Sequence, residues 1–82
     1  MTRDEIEAKL RDILVEMYEL EPGGIALDAR LYEDLALDSI DAVDLIVRLK
    51  EFTRADIAPE RVKEIRTVED VVDLVAELLQ VN

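Results

Sequence analysis

The sequence contains no cysteine, no histidine and no tryptophan. Without cysteine there is no disulfide, thiolate ligand or thiol nucleophile, and without histidine there is no imidazole to serve as general base or metal ligand. Most nucleophilic and metal-assisted reaction classes therefore lack their residues, and the chain reads as having no active site of its own. Aromatic residues make up only 4%, too few for the stacking platforms that hold nucleic-acid bases. A core has to be assembled from Leu, Ile, Val, Ala and Met instead. No stretch approaches the roughly 18 apolar residues needed to cross a bilayer. The opening residues Met1-Thr2-Arg3-Asp4-Glu5 show neither the apolar run nor the cleavage pattern of a secretory signal, so the expected setting is the cytoplasm. The two glycines stand together as Gly23-Gly24, a turn pair and not a phosphate-cradling loop.

Acidic charge is what the chain has in excess. Twenty-one Asp and Glu against ten Lys and Arg give a formal net charge of −11, which repels nucleic acid and anionic membranes and attracts basic protein surfaces. Half of the 82 residues are apolar, enough for one packed core. A chain of this length buries only about 60% of its unfolded surface, so residues 1–82 are expected to form a single domain, and the expected species is a monomer.

Apolar periodicity places the elements. Ile6, Leu10, Ile13, Leu14 and Met17 recur at helical spacing behind a Thr2/Glu5 capping-box pattern, predicting a first helix from about Arg3 to Leu20. Glu21-Pro22-Gly23-Gly24 ends it. Up to Asp38 there is no sustained period, yet Ile25, Leu27, Leu31, Leu35 and Leu37 are too many apolar residues for a disordered linker, so this loop should pack on the core. A second helix is expected from about Ser39 to Phe52, with an apolar stripe too wide for one core-facing side and a solvated face at Asp41, Asp44, Arg48 and Glu51. Arg48 stands four residues after Asp44, the spacing of an intrahelical ion pair. Pro59 can open a short helix ending near Glu64. Thr67 with Asp70 resembles a second capping box, before a last helix that turns Val71, Val72, Val75, Leu78 and Leu79 inward. The fold class is all-α: a small antiparallel four-helix bundle, three helices longer and one short, with a long ordered loop between the first two.

Ser39 lies where that loop meets the second helix. Ser is a favoured helix cap, and capping alone would account for it. A hydroxyl at a helix start is equally placed to carry a phosphate ester, because free N–H groups and a positive partial charge lie beside it. Six acidic residues and one basic residue fall between Asp28 and Leu45. Their Asp34, Asp38, Asp41 spacing lacks the alternation, central Gly and final Glu of a calcium-binding loop, so no metal site is expected. A Gly-x-Ser-x-Gly frame is also absent around Ser39.

The segment Leu35-Ala36-Leu37-Asp38-Ser39-Ile40-Asp41-Ala42-Val43-Asp44-Leu45-Ile46 resembles the attachment signature of acyl carrier proteins, with Asp38-Ser39-Ile40 standing for the family's Asp-Ser-Leu. The likeness extends through Leu31-Tyr32-Glu33-Asp34-Leu35 and Ile65-Arg66-Thr67-Val68-Glu69-Asp70-Val71-Val72. It departs at Ala36-Leu37, where the family usually has a Gly-containing pair, at the added cation Arg48, and at Ala58-Pro59, where a familiar proline is shifted. The resemblance implies a carrier and not an enzyme: a 4′-phosphopantetheine arm from coenzyme A, joined to Ser39 by a phosphopantetheinyl transferase, holding acyl groups as thioesters. It makes Asp38, Asp41 and Asp44 recognition residues for Arg and Lys on acyl-chain synthesising and transferring enzymes, with Ile40, Val43 and Val47 as apolar contacts. Val43, Val47, Ile65, Val71 and Val72 are expected either to line the space for the acyl chain or to be plain core. Fatty-acid, polyketide or related specialised lipid metabolism fits this reading, and Ala36-Leu37 with Arg48 lean toward a specialised role. A peptidyl carrier, or an acidic interaction module without a prosthetic group, are the alternatives.

Overall fold

The structure, a computed structural model, describes residues 1–80. Its α-helices are α1 (Arg3–Tyr18), α2 (Ser39–Thr53), α3 (Pro59–Glu64) and α4 (Val68–Leu78), with one 3₁₀ turn at Pro22–Gly24. Among the described residues there is no β-strand, only an isolated bridge between Arg30 and Thr67. This is the expected all-helical arrangement. The single domain expected over residues 1–82 includes two residues, 81 and 82, that lie outside the described ones.

Each long helix starts on a reciprocal capping box. At α1 the Thr2 hydroxyl accepts the Glu5 N–H at 3.2 Å while the Glu5 carboxylate accepts the Thr2 N–H at 3.0 Å. At α4 Thr67 and Asp70 do the same at 3.2 and 3.0 Å. Two donors that the helix leaves open are satisfied in each case. α1 ends two residues before the expected Leu20, because Glu19 takes the left-handed conformation at φ 54° and stops the helical hydrogen bonding.

One continuous core joins Ile6, Leu10 and Leu14 of α1, Leu45 and Leu49 of α2, and Val68, Val71, Val72 and Val75 of α4. The loop 19–38 belongs to it: Ile25, Ala29, Leu31, Leu35 and Leu37 are buried. Hydrogen bonds hold it there. The α4 donors Val68 N–H and Glu69 N–H reach the Ala29 and Leu27 carbonyls at 3.0 and 2.8 Å, and Leu31 N–H reaches the Arg66 carbonyl at 2.9 Å. The Arg11 guanidinium donates to the Ile25 carbonyl at 3.0 Å. α3 differs from its neighbours, since it has no side-chain cap and buries none of its residues. Its tie to α4 is the Arg61 guanidinium, which donates two hydrogen bonds to the Glu77 carboxylate at 2.8 and 2.5 Å.

The expected Arg48–Asp44 pair does not form. Arg48 reaches across to Glu16 of α1 at 3.4 Å, because α1 leans on that flank of α2. The same packing leaves Asp41 and Arg48 half-buried, so the supposed solvated face is open only at Asp44 and Glu51.

The carboxylates give stability a defined pH dependence. Backbone N–H donation from Thr2 holds Glu5 below its ordinary range, and that from Arg30 does the same for Asp34. Burial alone would raise Asp70, but the Arg66 and Thr67 N–H groups leave it lowered. A carboxyl with a lowered folded-state pKa stabilises above its unfolded pKa, and that contribution is lost as pH falls through the folded value. Self-repulsion at a charge of −11 works in the other direction near neutrality. Thermal melts should therefore show a midpoint that rises from pH 7 into mild acid and falls below about pH 4. At pH 7 added sodium chloride should raise it by screening. A midpoint that climbed steadily to pH 3 would refute the role given to the boxes.

Candidate functional site

The loop entering α2 is tightly folded. Asp34 accepts the Arg30 N–H at 2.8 Å and its side-chain Nε at 3.2 Å, and Glu33 pairs with the same guanidinium. Leu37 N–H returns to the Leu31 carbonyl at 3.0 Å, which sets Leu35 and Leu37 into the core on either side of Ala36. Ala36 is held at φ 57°, a left-handed conformation that L-residues with a Cβ adopt at a cost of roughly 1–2 kcal/mol. This is the Ala36-Leu37 position singled out in the sequence, and it explains why a glycine would suit it. Ala36→Gly should relieve the strain, offset in part by the extra freedom of glycine in the unfolded chain. We expect a net gain of about 0.5 kcal/mol, a midpoint higher by roughly 2–4 °C in a melt. A lower midpoint would show that the loop is not strained there.

Asp38, and not Ser39, caps α2. The Asp38 carboxylate accepts the Asp41 N–H at 2.9 Å, and the Asp41 carboxylate accepts the Asp38 N–H at 3.1 Å. The reason is in the spacing. Counted from Asp38 the third helical residue is Asp41, which can reciprocate, whereas counted from Ser39 it is Ala42, which cannot. Ser39 is thus the first helical residue, exposed, and its hydroxyl is left out of the capping box. The reading of Ser39 as a mere cap is overturned.

Sequence reasoning missed one support of this site. The Tyr18 hydroxyl, at the end of α1, donates to the Asp41 carbonyl at 2.7 Å and ties the first turn of α2 to α1. Burial first, then the negative charges of Asp41, Asp44 and Asp38, push its pKa up to about 12, so it remains a donor at any physiological pH. The available signal was a half-apolar side chain at the end of the buried stripe of α1, without a visible partner.

The exposed part of α2 is the apolar stripe Ile40, Val43 and Val47, exposed by 71, 61 and 51%. Their i, i+3, i+7 spacing puts them on one line, beside Asp44. The two valines, with Ile46, Ile57, Pro59 and Val62, border an open groove of about 420 Å³ between α2 and α3. On the inner side Ala42, Leu45 and Ile46 of α2 face Val62, Ile65 and Val71 across a crevice of about 20 Å³, room for about one water molecule. Of the five residues expected as lining, Ile65 and Val71 border this crevice. Val43 and Val47 face outward, a third of a turn away from Ala42 and Ile46, and Val72 is sealed in the core at 0% exposure.

The site suits a phosphate ester. Ser39 is the one serine in the chain, and its hydroxyl lies against the first turn of a 15-residue helix, where the dipole and open N–H groups favour an anion. Among the described residues no group of three or more carboxylates is placed to hold a metal ion, and no helix is long and apolar enough to cross a membrane.

Comparison with known proteins agrees with this geometry. Residues 8–75 match the family described as a phosphopantetheine attachment site. The chain is 46% identical over 79 residues to acyl carrier protein 2 of Ralstonia nicotianae, covering 96% of this chain and 98% of that one. It is 33% identical over 82 residues to an acyl carrier protein of Petrotoga mobilis, covering 100% and 96%. A further relative, an acyl carrier protein of Rubrobacter xylanophilus, is 36% identical over 77 residues, or 94% and 95% of the two chains.

Proposed function

We propose Ser39 as the residue that bears the arm, starting from the fact that this chain belongs to the acyl carrier protein family: it is a carrier and not an enzyme, and its prosthetic group is a covalently attached 4′-phosphopantetheine. That membership sets aside an acidic interaction module without a prosthetic group. The observation that carries the assignment is the position of the Ser39 hydroxyl, exposed at the first turn of α2 with the cap already supplied by Asp38. A phosphopantetheinyl transferase would join the Ser39 oxygen to the pantetheine-bearing phosphorus of coenzyme A, breaking the pyrophosphate bond so that 3′,5′-adenosine bisphosphate leaves and the hydroxyl proton is given up to a base or water. When bound, the arm supplies a terminal thiol on which acyl groups travel as thioesters.

The chain's own residues do the rest. Asp38 holds the first turn of α2 rigid through its box with Asp41, so Ser39 is presented in one orientation. Asp44, with the charges of Asp38 and Asp41, steers basic partner enzymes, and Ile40, Val43 and Val47 form a small apolar centre. So small a contact gives weak, fast exchange, the regime a shuttle needs, and tethering makes each enzyme visit nearly intramolecular. An acyl chain entering beside Ala42 and Ile46 would part α3 from α2, where α3 has no fully buried residue to withdraw. We place the protein as a single-domain, monomeric carrier in the cytoplasm, serving fatty-acid, polyketide or a related specialised acyl pathway. Arg48 and the Ala36-Leu37 pair favour the specialised role.

Intact mass after incubation with coenzyme A and a broad-specificity transferase tests this reading: one phosphopantetheinyl unit should be gained. No gain, under conditions that load another carrier fully, would contradict it. The acyl or aminoacyl group released from protein purified out of its own cells then identifies the pathway.

A further inference from the structure

The crevice between α2 and α3 has a charged neighbour. Tyr32, Val62 and Ile65, which border the crevice, also border a wider basin of about 640 Å³ whose remaining wall is Arg30, Glu33, Lys63 and Arg66. Three of these four ionisable groups are cations, on a chain with twice as many acidic as basic residues. Arg30 is engaged by Glu33 and Asp34. Lys63 and Arg66 are exposed and, among the described residues, neither forms an ion pair.

Ser39 stands on the crevice side of α2. Ser39, Ala42 and Ile46 follow i, i+3, i+7 spacing on α2 and so share one face, and Ala42 and Ile46 form the wall of the crevice. Cargo hung from Ser39 and laid along that face meets apolar side chains first and cations beyond them. A carboxylate cannot follow an alkyl chain into an apolar crevice without a large desolvation cost. It can stop at a solvated rim where Lys63 and Arg66 supply charge-assisted hydrogen bonds.

Resting on the assignment of Ser39 as the attachment residue, we infer that the basin at Lys63 and Arg66 is a binding site for a carboxylate at the far end of a medium-length cargo, which the carrier then holds more firmly than the plain alkyl acyl group of the same length. The phosphodiester of the arm is an anion of the same sign, and a cargo without the carboxylate separates the two, since both cargoes hang from that phosphodiester.

The test loads the full chain, by the transferase, from coenzyme A analogues bearing amide-linked octanoyl or 7-carboxyheptanoyl groups, matched in alkyl length and resistant to hydrolysis, and compares thermal midpoints in low salt. The carboxylated form should melt higher than the octanoyl form by roughly 2–5 °C, as one or two partly solvated ion pairs would give in a domain of this size. The gap should close in the Lys63→Gln/Arg66→Gln variant and shrink in 0.5 M sodium chloride. Amide NMR shifts of Val62, Ile65 and Arg66 should differ between the two cargoes in the wild type and coincide in the variant. Equal midpoints, or a gap that survives the double substitution, would overturn the site. Failure of either cargo to load is read separately from intact mass, and would overturn the attachment at Ser39 and the cargo site with it.

Discussion

Ser39→Ala is expected to take up no phosphopantetheine at all while melting within about 0.5 kcal/mol of the wild type, as exposed substitutions usually do. Two effects that the sequence could not separate come apart here. If Ser39 were the cap of α2, its removal would cost about 1 kcal/mol. Asp38 and Asp41 already form the box, so the alanine replaces an exposed first-turn residue by the best helix former. Asp38→Ala should show the complementary result: it should lose about 1 kcal/mol, or roughly 4–8 °C, and load more slowly because Ser39 is no longer held in one orientation. Intact mass and a thermal melt on each variant measure both quantities. A Ser39→Ala protein that melts like Asp38→Ala, or that still gains the arm, would refute the assignment of roles.

The second large effect concerns recognition. Asp41 is unsuited to a charge-reversal test, because it is half-buried and its carboxylate closes the capping box. Asp44 is exposed and, among the described residues, takes part in no ion pair. Asp44→Lys should slow transferase loading roughly tenfold at low ionic strength, since steering by surface charge accounts for factors of 10 to 1,000 in association rate. The defect should fade in high salt, where exposed charges are screened. Val43→Ser/Val47→Ser should slow loading by a similar factor at every salt concentration, without destabilising the fold, because both valines are more than half exposed. Stopped-flow loading rates across a salt series distinguish the two surfaces. A salt-independent Asp44→Lys defect would place the steering charge elsewhere.

Much of this molecule is legible in its sequence because local rules agree with the tertiary packing. Thr2/Glu5 and Thr67/Asp70 announce two helix starts, and Pro59 a third. The excess apolar width of α2 correctly requires an exposed stripe, which is Ile40, Val43 and Val47. What could not be read depends on neighbours distant in sequence or on a choice between equal caps. Asp38 and Ser39 are both good cap residues, and only the reciprocal bond from Asp41 decides between them. Arg48 chose Glu16 over Asp44 because α1 packs beside it, a contact between residues 32 apart in the chain. The sorting of Val43, Val47, Ile65, Val71 and Val72 into surface, crevice and core follows the placement of α3, a six-residue helix without a buried residue. Ala36 marks its own strain, but the positive φ needs the fold to be seen.

Fragment mass spectrometry of the loaded protein tests the assignment of Ser39 most directly. Trypsin releases Leu31–Arg48, in which Ser39 and Tyr32 carry the only side-chain hydroxyls. The phosphopantetheinyl unit should be found on this peptide, with fragment ions placing it on Ser39 and all other peptides unmodified. An arm on Thr2, Thr53, Thr67 or either tyrosine, with Ser39 bare, would contradict it.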